Sequence, residues 1–305
     1  TFRYALTHPA DIIEVNEPLI ARAAPRAISA VFANRLRSLV TREKRATVVS
    51  YAIASLDPRD IAPKLPVRAR VKWRLHATLV RVVWRVVDRL AFGTELAESV
   101  YRAHFDGRWP EVRTIPALPV SRLAHPGPRP REPHLVFLGD LSARKGFPQV
   151  MEAWPRVRAA VPGARFTILG RGAGADAARR LAETDSTVVT RIDPPRAEIF
   201  DTLSQSKALV LPSQPAPLWR EQVGLPIVEA LSLGCVIVTT TETGVAAWLD
   251  RHGHQVVSPP DDVQALADAI SAALLEPRSP DQVVADLPAK DGRLEAESWL
   301  YEGRR

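Results

Sequence analysis

The chain has 305 residues and a mass of 33.6 kDa, and its 46% hydrophobic and 25% charged residues are typical of a soluble globular protein. This length predicts two domains. No apolar run approaches the roughly 20 residues that a membrane-spanning helix needs, and we do not expect Thr1-Phe2-Arg3 to open a signal peptide. The single cysteine, Cys235, excludes an intrachain disulfide and is consistent with a cytoplasmic protein.

Charge is divided unevenly along the chain. Residues 1–125 hold 21 Lys and Arg against 11 Asp and Glu, a net charge of +10, whereas the remaining residues hold 20 against 23, a net charge of −3. A basic surface in the first half suits an anionic membrane, a polyanionic acceptor or nucleic acid. Arginines on an ordinary solvated surface explain the same excess.

The first half of the chain predicts strands and helices with loosely defined bounds. These are a strand at 11–15, a helix at 26–40, a strand at 46–53, a helix at 71–90 and a short strand end at 91–93. The helix at 71–90 combines Trp73 and Trp84 with five cations, namely Lys72, Arg74, Arg81, Arg85 and Arg89. Such a helix can lie on an anionic membrane, and it also fits a core helix with a solvated basic edge.

Four prolines in the nine residues 125–133 predict an extended linker. Beyond it, strands at 134–138, 166–169, 187–192, 208–211 and 235–239 alternate with helices at 147–161, 175–183, 196–205, 226–233, 244–250 and 262–275. This alternation predicts an α/β fold with a parallel, doubly wound sheet. The predicted organisation is a domain at 1–127, a linker at 128–133, a domain at 134–278 and a tail at 279–305, with Trp299 and Tyr301 of the tail packing back towards the first domain.

A turn with two cations follows the first strand of the second domain. Gly139 ends the strand, and Arg144 and Lys145 precede Gly146 and the next helix. Ligands bind beyond the carboxyl ends of such strands, so two adjacent cations there suit a phosphate. The same pair of cations also fits a solvated loop that binds no ligand.

A second turn supports a competing interpretation. The run Gly170-Arg171-Gly172-Ala173-Gly174-Ala175 follows a strand and fits G-x-G-x-x-[GA], and Asp193 ends the next strand about 20 residues later. This pattern predicts an NAD-dependent enzyme. However, it follows the second strand of its domain rather than the first, and tight turns alone explain its glycines.

Two carboxylates, Glu221 and Glu229, enclose seven residues that include Gly224, Leu225 and Pro226. Pro226 favours the first turn of a helix, and the apolar residues around Glu229 predict that this helix is buried. A buried carboxylate needs strong hydrogen-bond donors. A ligand supplies such donors, and so does a structural bond to an arginine or to backbone amides.

Segment 221–229 resembles the E-x7-E motif of retaining glycosyltransferases with the GT-B fold, and it is most similar to glycosyltransferase family 4 (glycosyl transferases group 1). Turn 139–146 resembles the G-R-x4-K-G signature of the same family, although Asp140 stands where the family usually has Arg. The resemblance covers residues 134–277 well and residues 1–125 loosely. It implies two Rossmann-like domains, and the first of them is short enough to predict missing N-terminal residues.

The resemblance implies roles for three catalytic residues. Lys145 binds the donor diphosphate, and Arg144 reinforces it. Glu221 faces and orients the donor sugar. Leaving-group stabilisation by these cations and by helix-end amides then requires no metal and no other cofactor.

The resemblance also implies a set of donor-binding residues. Glu229 accepts hydrogen bonds from the donor ribose, and the backbone N–H groups around Gly224 and Leu225 meet the diphosphate, as a helix N-terminus favours. Gly139 lies in the turn that precedes the diphosphate-binding cations. The segment with Ile192 forms the wall of the nucleobase site.

The function that follows is transfer of a sugar from a UDP- or GDP-sugar to an acceptor hydroxyl, with retention of configuration. The acceptor is open among a saccharide, a lipid-linked sugar and a small molecule. We expect a cytoplasmic protein, with peripheral contact to the anionic inner face of the membrane as a further expectation and with no nucleic-acid partner. The alternatives are a nucleotide-binding module without transfer activity, an NAD-dependent enzyme that uses the Gly170 turn, and a polyanion binder that uses residues 1–125.

Overall fold

The computed structural model describes residues 1–20, 22–61, 66–123 and 130–303. They form two compact units: the first comprises Thr1–Ala117 and Gly292–Arg305, and the second comprises Leu118–Asp291. The residues of the predicted tail, 279–305, are thus divided between the two units. Of the linker predicted from the prolines at 125–133, residues 125–129 lie outside the described residues.

The first unit is built on a four-stranded parallel sheet in the order β1-β2-β3-β4. Its strands are β1 Ile12–Glu14, β2 Thr47–Ala52, β3 Arg89–Phe92 and β4 Glu111–Thr114. Its helices are α1 Phe2–Thr7, α2 Ala24–Thr41, α3 Pro58–Ile61, α4 Val67–Val86, α5 Glu95–His104 and, from the end of the chain, α13 Gly292–Leu300. Helices α1, α3, α5 and α13 and strand β4 have no counterpart in the sequence prediction.

The strand order places the connecting helices of the first unit in one layer. Right-handed crossovers between successive neighbouring strands all lie on the same face of a sheet. Accordingly, α2, α4 and α5 contribute Val31, Trp84 and Tyr101 to one core, which lies on that face. Helix α13 contributes Trp299 to a second core with Tyr51 of β2 on the other face, so this part of the predicted tail packs within the first unit.

One predicted helix extends too far towards the C-terminus. The helix predicted at 71–90 is α4, which ends at Val86, and Arg89 and Leu90 belong to β3. Segment 82–92, which is apolar apart from Arg85, Asp88 and Arg89, fits either a helix or a buried strand. The structure decides between them through Asp88, whose carboxylate accepts the N–H of Val48 at 2.9 Å and ties the chain to β2.

The second unit is built on a six-stranded parallel sheet in the order β10-β9-β8-β5-β6-β7. Its strands are β5 His134–Asp140, β6 Arg165–Arg171, β7 Val188–Ile192, β8 Ala208–Leu211, β9 Val236–Thr240 and β10 Gln255–Val257. Its helices are α6 Phe147–Ala160, α7 Ala175–Thr184, α8 Arg196–Gln205, α9 Leu225–Ser232, α10 Ala246–Arg251, α11 Val263–Leu275 and α12 Pro280–Val284. The predicted fold class, two α/β domains with parallel sheets, is confirmed.

The strand order of the second unit reverses between β5 and β8. From β5 the sheet continues through β6 to β7, and from β8 it continues in the opposite direction through β9 to β10. At such a reversal a crevice opens beyond the carboxyl ends of the strands, and α/β proteins bind ligands there. The loops that follow β5 and β8 border this crevice.

The core of the second unit is closely packed and apolar. Phe137, Phe147, Trp154 and Phe166 are completely or almost completely buried in it. Cys235 is also buried, and burial raises the pKa of its thiol to about 11, so the thiol is protonated at neutral pH. Within the described ranges of the chain, no helix is both long and apolar enough to cross a membrane.

Candidate functional site

The two loops that border the crevice of the second unit are joined to each other. After β5, Ala143–Lys145 form a single 3-10 turn, and the N–H of Gln214, from the loop after β8, donates to the carbonyl oxygen of Arg144 at 3.0 Å. Gly146 follows the turn with φ of 71°, and a Cβ at this position would overlap the carbonyl oxygen of Pro212. Gly146 therefore allows the two loops to approach.

Lys145 and Glu221 meet between these loops. The Lys145 ammonium group forms a close ion pair with Oε2 of Glu221, and the Ser213 hydroxyl donates to the same oxygen at 3.1 Å. Both charged side chains are nearly buried. The backbone of Glu221 is held as well, because its carbonyl oxygen accepts the N–H of Gly244 at 3.0 Å. Two of the three predicted catalytic residues are thus in direct contact.

Arg144, the third predicted catalytic residue, lies at the more exposed side of this pair. Its guanidinium carbon is 4.4 Å from the centre of the Trp219 ring, and Nζ of Lys145 is 5.0 Å from the same centre. Both distances are typical of cation–π contacts. Arg144 also lies 3.4 Å from the carboxylate of Asp140, so the residue that departs from the family signature partly neutralises Arg144.

Helix α9 begins beside Glu221. Gly224 caps it with φ of 81°, Leu225 and Pro226 are its first residues, and the first intrahelical bonds run from Ile227 and Val228 to the carbonyl oxygen of Gly224. The N–H groups of Gly224 and Leu225 precede these bonds at the positive end of the helix dipole. Such N–H groups are well placed to bind an anion.

Glu229 lies one turn into α9 and is only 8% exposed. Its Oε1 accepts a hydrogen bond from Arg196 at 2.6 Å, and Arg196 opens α8 directly after the loop that follows β7. The guanidinium of Arg196 also lies 5.1 Å from the ring centre of Phe200. An arginine therefore satisfies one oxygen of the buried carboxylate. This is the bond expected if Glu229 has a structural role.

Two further predicted residues lie at the same edge of the sheet. Gly139 is near the end of β5, directly before the turn with Arg144 and Lys145. Ile192 ends β7, which β6 separates from β5. Ile192 is therefore displaced from the Lys145–Glu221 pair and lies on the side from which Arg196 reaches Glu229.

The glycines of the competing NAD pattern pack against the β5 loop. A Cβ at Gly170 would overlap the carbonyl oxygen of Gly139, and one at Gly174 would lie 2.8 Å from the carbonyl oxygen of Leu141. The N–H of Gly174 also donates to Leu141 at 2.8 Å. This turn follows β6, away from the reversal of strand order, so close packing accounts for its glycines.

The sequence prediction did not include three side chains of this site among its site residues. Ser213 bonds to Glu221, Trp219 contacts both cations, and Arg196 bonds to Glu229. Ser213 follows the buried strand β8 and Pro212, and Trp219 lies in the irregular, proline-containing segment before Glu221, so both have a sequence signal. Within the ranges that the structure describes, no group of three or more His, Cys, Asp or Glu side chains could hold a metal ion.

A known family matches this part of the chain. Residues 132–276 match the model for glycosyl transferases group 1. Residues 132–276 are therefore similar to that family. The matched range includes both loops with Lys145 and Glu221 and the whole of α9 with Glu229.

Curated relatives and solved structures are similar to a larger part of the chain. Glycogen synthase of Mycobacterium tuberculosis, from strains CDC 1551 and H37Rv, is 30% identical over 193 residues, which are 61% of this chain and 42% of the relative. The chain thus spans less than half the length of these curated relatives.

Two solved structures share the fold. An α,α-trehalose-phosphate synthase (UDP-forming) from Burkholderia vietnamiensis has a TM-score of 0.64 and 17% identity, and covers 98% of this chain and 74% of its own. Anabaena HepE in complex with UDP has a TM-score of 0.64 and 15% identity. The match covers 98% of this chain and 76% of the HepE chain. The glycosyltransferase neighbours confirm the GT-B fold class predicted from the sequence.

Proposed function

We propose that this protein is a retaining glycosyltransferase of family 4, which transfers a sugar from a nucleotide-sugar donor to an acceptor hydroxyl. The observation that carries the proposal is the contact between Lys145 and Glu221 at the reversal of strand order, beside the N-terminus of α9. A cation, a carboxylate and free helix-end amides at one point suit a ligand with both a diphosphate and a sugar.

The cations of this site would stabilise the leaving group. As the bond from the anomeric carbon to the phosphate oxygen breaks, negative charge builds on the diphosphate. Lys145, Arg144 and the N–H groups of Gly224 and Leu225 would take up that charge. The nearly buried position of Lys145 strengthens this effect, because charges interact more strongly where water is excluded.

Two carboxylates would hold the rest of the donor. Glu221 is fixed by Ser213 and by its own backbone bond to Gly244, so it can orient the hydroxyl groups of the sugar. Glu229 keeps Arg196 on Oε1, and its Oε2 remains as the acceptor for the ribose hydroxyls. In this arrangement Arg196 fixes the orientation of the Glu229 carboxylate.

The nucleotide proposed first is UDP. Anabaena HepE was solved in complex with UDP, and a trehalose-6-phosphate protein of E. coli, with a TM-score of 0.63 and 15% identity, was solved with UDP-2-fluoro glucose. These likenesses support the fold, and the family match of residues 132–276 supports the chemistry. The predicted cytoplasmic location and the predicted independence of metal stay predictions.

The first experiment is a measurement of thermal stabilisation by UDP, GDP and NAD, because a ligand that binds only the folded protein raises the melting temperature. We expect UDP or GDP to raise it in the wild type and in Asp201→Ala, a control at an exposed position of the neighbouring α8, and not in Glu229→Ala. A shift with NAD alone, or an equal shift with UDP in Glu229→Ala, would contradict the proposed donor site.

A second measurement tests transfer itself. The wild type is incubated with a UDP-sugar that stabilises it and with a saccharide acceptor, and NMR follows the release of UDP and the anomeric configuration of the glycosylated acceptor. Retention predicts that the new glycosidic bond has the same configuration as the donor. Tight nucleotide binding without turnover would support the alternative of a binding module.

A further inference from the structure

The helices α2 and α4 of the first unit lie side by side in the layer that covers one face of the sheet, and both leave an outer surface uncovered. We call this surface, made by the exposed side chains of α2 and α4, the outer face. Neither helix contains Asp or Glu. By contrast, α6, α7, α8 and α11 of the second unit each contain at least one acidic residue.

Helix α4 carries an apolar stripe along the outer face. Val67, Val71, Leu75 and Val82 are exposed, with Val71 at 68% and Leu75 at 63%. At 3.6 residues per turn, these four positions fall within an arc of about 80°. The buried residues of the same helix, among them Trp84, point to the opposite side. The helix is therefore apolar both towards the core and towards solvent.

Helix α2 continues this pattern. Phe32, Leu36, Leu39 and Val40 are exposed on one side of the helix, and Leu39 reaches 78%. Phe2 of α1 stacks on Phe32 with ring centres 6.4 Å apart and is itself exposed. A soluble surface rarely leaves this many large apolar side chains exposed together without a partner.

The charges that accompany these apolar side chains are basic. Arg68, Arg74, Arg81 and Arg85 are exposed on α4 on either side of its stripe. Glu43, which follows α2, pairs with Arg37, and Asp57, which precedes α4, pairs with Arg59. The outer face thus combines apolar side chains with an excess of positive charge.

We propose that the outer face docks on an anionic lipid surface. The apolar side chains would enter the boundary between headgroups and acyl chains, and the arginines would contact the phosphate groups. A second copy of the chain is a poorer occupant, because it would bring the arginines of two outer faces together. Trp84 is buried and Trp73 packs against the core, so insertion depends on Phe32 and the aliphatic side chains.

The test is co-sedimentation of the whole chain with vesicles of phosphatidylcholine alone and with vesicles that also contain phosphatidylglycerol. We expect binding to the mixed vesicles that weakens as salt is added, and little binding to phosphatidylcholine. The double variant Val71→Glu with Leu75→Glu should bind at least about tenfold more weakly. Leu275→Glu, a change of an equally exposed leucine on the second unit, should bind like the wild type.

Removal of positive charge from α4 tests the proposal independently. Arg74→Gln and Arg81→Gln should each weaken binding to the mixed vesicles by about fivefold. Circular dichroism checks that each variant is folded, which we expect because the changed residues are exposed. Absence of binding to anionic vesicles, or unchanged binding of the Val71 and Leu75 variant, would overturn the proposal. So would a dimer in light scattering that this variant dissociates, because the outer face would then bind a second copy.

Discussion

The two units share an architecture of parallel strands and connecting helices, but different surfaces of that architecture carry their chemistry. In the second unit, charged side chains converge at the carboxyl ends of the strands, where Lys145 meets Glu221. In the first unit, unusual side chains lie on the outer layer of helices, where Leu39 and Val71 face solvent. The comparison shows that the same architecture can group charged side chains at strand ends in one unit and expose apolar side chains on its helices in the other.

The charge distribution follows the same division. Residues 1–125 carry a net charge of +10, and the remaining residues carry −3. In the second unit, cations are grouped with carboxylates, as in the contacts of Arg144 with Asp140 and of Arg196 with Glu229. On α2 and α4 the cations have no acid within their own helix. Three measurements can separate the two units.

The largest effect is expected at Lys145. Lys145→Met removes the nearly buried cation, and we expect the transfer rate to fall by about 10²- to 10³-fold, the usual effect of removing one stabilising donor from an active site. Vesicle binding should not change, because the outer face belongs to the first unit. The readouts are UDP release and co-sedimentation.

The matched control for this variant is Lys290→Met, an exposed lysine of the second unit, which should leave the transfer rate unchanged. Glu221→Gln tests the carboxylate charge while it keeps the bond from Ser213. A Lys145→Met protein that transfers sugar within about threefold of the wild-type rate would refute the proposed role of the cation.

A smaller effect, on the stability of the second unit alone, is expected for Gly146→Ala. The residue has φ of 71°, and the added Cβ would overlap Pro212, so we expect a loss of about 2–4 kcal/mol in the free energy of unfolding. Gly163→Ala is the control, because its φ is 89° and nothing lies within 4 Å of the added Cβ. It should cost about 1 kcal/mol.

Amide hydrogen exchange, measured separately for the two units, reports the loss of stability in Gly146→Ala. Equal losses for the two glycine variants would show that the contact between the two loops contributes nothing. A loss of protection in the first unit would show that the units are not independent in stability.

The smallest effect per residue is the pH dependence that each of two histidines gives the second unit. Burial lowers the pKa of His254 to about 3 and that of His134 to about 4, below the ordinary value of 6.5. Since unfolding restores the ordinary pKa, the unfolded chain binds more protons, and stability that is complete above pH 6.5 decreases as the pH falls. As the pH falls from 6.5 to 5, each histidine should lower the free energy of unfolding by about 2 kcal/mol.

Urea unfolding at several pH values, again resolved by unit, measures this dependence. His254 accepts the N–H of Ile237 through Nδ1 at 3.1 Å, and the side-chain oxygen of an asparagine can replace that acceptor. We therefore expect His254→Asn to make the pH dependence shallower. An unchanged slope in this variant would argue that His254 does not take up a proton on unfolding.

Much of the second unit was predictable from local patterns. The helix 196–205 and the strand 208–211 have the predicted bounds, because short apolar runs and helix periodicity depend on neighbouring residues alone. In the first unit, the boundary between α4 and β3 was wrong, because Asp88 fixes it through a bond to β2, which lies 40 residues earlier in the chain.

The candidate site shows the same limit. Turn 139–146 and segment 221–229 identified Lys145 and Glu221 separately, and the sequence also determined that each lies near the end of a strand or the start of a helix. Only the tertiary structure decided that these two side chains touch, that Arg196 reaches Glu229 and that the stripe of α4 faces solvent. Backbone preference and periodicity act between neighbours in the chain, whereas ion pairs and burial depend on which strands lie side by side.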